Sequence, residues 1–94
     1  MFNINFKGMI FNITKYSFAD DTTGEVVKGC KVEYLAPKDE TENSKGYISI
    51  SCNVKMTNYD LLKTYVGKFV NVEVEPNLAK AKFKLIKVDN HILA

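Results

Sequence analysis

From Gly46 to Lys55 the chain reads GYISISCNVK, and apolar residues fall at every second position. Ile48, Ile50, Cys52 and Val54 occupy one register, and Tyr47, Ser49, Ser51, Asn53 and Lys55 the other. A period of two is that of an extended strand with one buried face, because successive side chains point to opposite sides. A helix of this composition would scatter the same apolar residues around its circumference. The segment is therefore read as a strand whose inner face packs on a core.

The same period recurs along most of the chain. Residues 2–19 read as one long strand, with Met9, Phe11 and Ile13 alternating against Ile10, Asn12 and Thr14 and with Gly8 suggesting a bulge near the start. DDTTG (Asp20 to Gly24) supplies turn chemistry, since short acids and threonines bond their own backbone. Asp20 and Asp21 are accordingly read as turn formers and not as a catalytic pair. Val26 to Ala36 is the second strand, with Cys30, Val32, Tyr34 and Ala36 inward, and Pro37 to Gly46 is a polar connector. After the third strand, MTNYDLLKTYVGK breaks the alternation. Thr57 or Asn58 can cap a helix there, Asp60 favours its positive end, Leu61, Leu62 and Tyr65 give an apolar face, and Gly67 stops it. KFVNVEVEP is the fourth strand, with Val70, Val72 and Val74 inward; AKFKLIKVD is the fifth, with a bulge expected where Leu85 adjoins Ile86.

The expected class is all-β with one short helix between the third and fourth strands, in a single domain of 94 residues. Five antiparallel strands with a helix at that place match the OB-fold, a five-stranded Greek-key barrel, and a long first strand can bend to serve both sides of it.

Several function classes are set aside. Cys30 and Cys52 are the two cysteines and sit in inward registers, so they are read as reduced core thiols. A lone histidine, His91, leaves too few ligands for zinc, and no metal or cofactor is expected. Neither a nucleophile with a spaced histidine partner nor a glycine-rich phosphate cradle is present, so no enzyme is expected. No apolar run reaches the length of about 20 residues needed to span a bilayer, and the N-terminus lacks signal-peptide features. Cytoplasmic residence is the expectation.

The remaining signal is basic and aromatic. AKAKFKLIKV sets Lys80, Lys82 and Lys84 on one register and Ala81, Phe83 and Leu85 on the other. Net charge is only +2, so any electrostatic argument rests on where the lysines sit. Outward aromatic and basic residues fall at Lys15, Tyr16, Phe18, Lys28, Lys31, Tyr47, Lys55, Lys80, Lys82 and Lys84. Rings for stacking beside lysines for phosphates are what a single strand requires. Tyr34 and Phe83 are read as core, and Phe18 as either projecting or folded back. Lys28 and Lys31 fall on opposite faces unless a bulge intervenes at Gly29.

In the hairpin FNITKYSFADDTTGEVVKGCKVEYL and the segment YVGKFVNVEVEPNLAKAKFKLIKV, the chain resembles small OB-type single-stranded DNA-binding proteins of phages and mobile elements, the filamentous-phage helix-destabilising proteins among them. The resemblance implies a homodimer that binds single-stranded DNA with little sequence preference during replication or transfer of a phage, plasmid or conjugative element. It also implies that the first hairpin acts as a DNA-binding wing carrying Lys15, Tyr16, Phe18, Lys28 and Lys31. Two features depart from that pattern: the chain has no arginine, and Asp39 to Glu42 (DETE) would repel phosphate. RNA as the ligand, and a protein-assembly module using the same barrel, are the alternatives.

Overall fold

A computed structural model describes residues 3–77, 79–80 and 82–94. Six strands form one antiparallel sheet: β1 (Ile4–Ala19), β2 (Val26–Pro37), β3 (Tyr47–Val54), β4 (Phe69–Asn77), β5 (Lys82–Val88) and β6 (His91–Ile92). Their spatial order is β3-β2-β1-β4-β5-β6. The long first strand serves two partners, pairing β4 through Ile4 to Met9 and β2 from Met9 to Ala19. The all-β class with one short helix is therefore as expected. Five strands become six because Asp89 and Asn90, both at positive φ, turn the chain back so that His91 and Ile92 pair with Val88 and Lys87.

The sheet does not close into the expected barrel. β3 and β5 approach each other, yet no ladder joins them among the described residues. A side chain spans the gap instead: the Tyr34 hydroxyl donates to the Phe83 carbonyl oxygen at 3.2 Å.

Two bulges set the registers. One lies between Ile10 and Asn12, so Phe11 is the extra residue, and the bulge falls here and not at Gly8. It lets Ile10 point inward ahead of it and Ile13 point inward after it, breaking the alternation expected for this strand. Gly8 has a different role: a Cβ there would lie 2.6 Å from the Leu35 carbonyl oxygen, so the strands approach too closely for a side chain. The second bulge falls at Ile86, as expected from the Leu85-Ile86 pair, between the pairs Glu73↔Lys87 and Val74↔Leu85.

The core is the concave side of the curled sheet. Ile10, Cys30, Val32, Tyr34, Val72, Val74, Leu85 and Val88 are buried there, and Leu62 enters from the helix. Phe83 packs against this cluster, in keeping with its inward register, while Ala81 lies outside the described residues. β3 is less covered than its alternation implies: Ile50, Cys52 and Val54 are half-buried and Ile48 is exposed, because an edge strand beside an open gap has a neighbour on one side only.

The helix is a single turn, α1 (Tyr59–Leu62), between 3₁₀ turns at Met56–Asn58 and Lys63–Tyr65. Neither Thr57 nor Asn58 caps it through a side chain. Asn58 is buried and holds the Ala94 backbone: the Ala94 N–H donates to Oδ1 at 3.0 Å, and Nδ2 donates to the Ala94 carbonyl at 3.4 Å. Gly67 ends the segment at positive φ, as expected, and its N–H donates to the Ile10 carbonyl at 2.9 Å. No helix among the described residues is long and apolar enough to cross a membrane.

Candidate nucleic-acid interface

The gap between β3 and β5 holds two adjoining cavities. One, of about 530 Å³, is lined by Lys31, Ser51, Cys52, Asn53, Asn77, Lys80, Lys82, Phe83 and Lys84. The other, of about 460 Å³, has Lys28, Lys55 and Lys84 among its walls, with Leu93 and Ala94 at its end. Asn53 and Lys84 line both. Six of the ten residues expected to bind nucleic acid thus line one or other of these two cavities. Neither aspartate nor glutamate is among the described residues that line either cavity.

Strand geometry explains the meeting. Residues opposed in an antiparallel ladder project to the same face. Thr14, Lys31 and Asn53 are opposed across β1, β2 and β3, so Lys31 and Asn53 stand together on the outer face beside the gap. Lys82 and Lys84 reach it from the β5 edge. Lys80 lies in the turn that precedes the strand, as the start of the fifth strand at AKFKLIKVD implies, with its N–H directed to Asn77. Lys28 and Lys31 do fall on opposite faces, because the register runs through Gly29 without a shift. Each therefore faces a different one of the two cavities.

The aromatic residues divide. Tyr16 opposes Gly29 and Phe18 opposes Val27, which puts both rings on the face that carries Lys31. Tyr16 and Lys31 are diagonal neighbours there. Phe18 is 55% exposed and lies nearly parallel to Tyr16, with ring centroids 6.1 Å apart, so it projects and does not fold back. Lys15 is on the other face, where its Nζ sits 4.6 Å from the centre of the Tyr59 ring. Its position opposite Cys30 removes it from the aromatic pair expected to be its companions, since neighbours in a strand diverge. Tyr47 is also elsewhere. It opposes Pro37 at the far end of β3 from Asn53, about 20 Å away at the usual strand rise, and its ring meets Phe69 at 5.6 Å.

Acidic residues bound the usable surface. Asp39, Glu40 and Glu42 lie in the β2–β3 connection, past the Pro37↔Tyr47 pair, and line neither cavity. Glu33 stands two residues along β2 from Lys31 but accepts a bond from Asn12 Nδ2 at 3.1 Å. Glu75 opposes Lys84 and offsets part of its charge. At the wing tip Asp20 accepts the Thr22 and Thr23 N–H groups at 2.7 and 3.0 Å, the turn role expected of it. Those bonds hold its carboxyl below the ordinary range.

Burial pushes both thiols up, so neither Cys30 nor Cys52 is a ready nucleophile, and both are free. Cys52 is only half-buried and forms part of the groove wall. Asn53 and Asn77 were missed as groove residues; Asn53 carried a signal in its outward register between Ser51 and Lys55. Phe69 was missed as the partner of Tyr47, a contact between strands that no local pattern announces. No family model, curated protein or solved structure matches the chain.

Proposed function

We propose that the protein binds single-stranded DNA with weak base preference, as a non-catalytic module in the replication or transfer of a phage, plasmid or conjugative element. The observation that carries this reading is the meeting of Lys31, Lys80, Lys82 and Lys84 in one groove, with half-buried Tyr16 and exposed Phe18 on the face that Lys31 shares. Phosphates suit the groove, and unpaired bases suit the rings. A stacked duplex offers the rings nothing.

Strand order supports the finer fold reading. In β3-β2-β1-β4-β5 the first strand lies centrally and the third and fifth meet at the open ends. The same order would arise from an OB-type barrel opened between its third and fifth strands, a fold in which oligonucleotides bind on strands two and three and on the one–two and four–five loops. Resemblance to the phage helix-destabilising proteins also suggests a homodimer; light scattering at micromolar concentration tests it, and a monomer mass with DNA binding intact removes it.

Fluorescence titration with an unstructured oligonucleotide, its duplex and its RNA counterpart, each at two salt concentrations, tests the main reading. Tighter binding to the single strand, falling steeply with salt, is expected. Equal binding to duplex, or none at low salt, overturns it; preference for RNA moves the reading to an RNA-binding module. A second reading, an assembly module without nucleic acid, is favoured by one observation, the exposed ring pair Tyr47 and Phe69 at the end of the sheet away from the groove.

A further inference from the structure

Gly29 faces Tyr16 across the β1–β2 ladder. A Cβ on Gly29 would collide with the Tyr16 hydroxyl and Cζ and stand 3.0 Å from Cε2. The tyrosine ring therefore lies across the glycine backbone, a place no other residue would leave open. One face of the ring is covered by the strand, and the other is turned outward. Phe18 lies beside it with a 24° angle between the rings and a centroid separation of 6.1 Å. Opposite Phe18, Val27 is also exposed, so the outer surface of the wing is apolar without a covering partner.

The spacing of the rings constrains what covers them. Bases in a stacked strand follow one another at about 3.4 Å. Two side-by-side rings 6.1 Å apart cannot accept consecutive bases of such a run, but they can accept those of a strand drawn out of its own stack. We infer that Gly29 is a positioning residue: it lays Tyr16 flat beside Phe18, and the resulting shelf selects single strands that stack weakly on themselves, pyrimidine-rich over adenine-rich. The inference rests on the single-strand-binding reading above. Its physical basis is that adenine runs must be unstacked before they dock, whereas thymine runs start nearly unstacked, so preference arises without base-edge hydrogen bonds.

Fluorescence anisotropy with labelled oligothymidylate and oligodeoxyadenylate of equal length provides the test. The wild type is expected to bind the thymine strand about threefold more tightly, a modest preference of the kind that differences in stacking produce. Gly29→Ala and Phe18→Leu should each bring that ratio close to one while the dependence on salt stays as it was. Lys82→Gln should weaken both strands alike and keep the ratio. Circular dichroism reports whether Gly29→Ala remains folded; if it unfolds, Phe18→Leu decides, because Phe18 is largely exposed and its removal leaves the ladder intact. A wild-type ratio near one, or a ratio that survives in the folded variants, overturns the inference while single-strand binding stands. Failure of the wild type to bind either strand takes down both.

Discussion

The Tyr34 hydroxyl donates a hydrogen bond of 3.2 Å to the Phe83 carbonyl oxygen, joining β2 to β5 across the place where the sheet stays open. In its own ladder Phe83 faces Pro76, which has no N–H to offer. The buried phenol thus ties together the two ends of the sheet that flank the lysine groove. Its burial drives the phenol far above the ordinary tyrosine range, which favours the protonated, donating form.

Tyr34→Phe keeps the ring in the core and deletes only this bond. A loss of about 1 kcal/mol is expected, the usual net value of one hydrogen bond, read as a lower urea midpoint with unchanged slope. An oligonucleotide affinity that falls further than stability does would show that the bond also sets the width of the groove.

Asn58 carries a second long-range tie. Asn58→Ala leaves the Ala94 N–H and carbonyl without their side-chain partner and opens space under the helical segment. Stability should drop by about 1–3 kcal/mol, and amide exchange should quicken at Leu93 and Ala94 before it does in β1 or β2. Uniform acceleration throughout the sheet would argue against a local tie.

The wing turn should respond to acid. Folding holds the Asp20 carboxyl below its unfolded value, so its contribution is complete above about pH 4 and declines as pH falls through the lower folded value. Comparing thermal unfolding of the wild type and Asp20→Asn from neutral pH downward checks the sign. The gap between them should narrow on acidification; a gap that widens would contradict the assignment.

Changing Lys80, Lys82 and Lys84 together to glutamine should leave the fold intact, since all three are exposed. If each holds a phosphate, the log–log salt slope for single strands should flatten by about 2, with all sequences weakened alike. Unaltered binding with an unaltered slope would mark the row as a solvated strand face.

Much of the fold was legible because burial on one face of a strand writes itself locally as a period of two. The alternation of Ile48, Ile50, Cys52 and Val54, the DDTTG turn, the Leu85-Ile86 bulge and the stop at Gly67 were all readable from neighbours a few residues apart. What tertiary structure decided concerns residues far apart in the chain. Phe11 is a bulge because β1 must twist between two partners, and Asn58 leaves its capping role because Ala94 comes within reach of its amide. The same holds for the site. Sequence marked the lysines and rings as outward, but a strand register says only which side a residue takes, not which other strand lies beside it. Pairing and curl brought Lys31 to Lys80, Lys82 and Lys84 and kept Tyr16 and Phe18 on their face. They also carried Lys15 to Tyr59 and Tyr47 to Phe69, because those contacts are fixed by strand order and the bend of the sheet, and neither is written in local spacing.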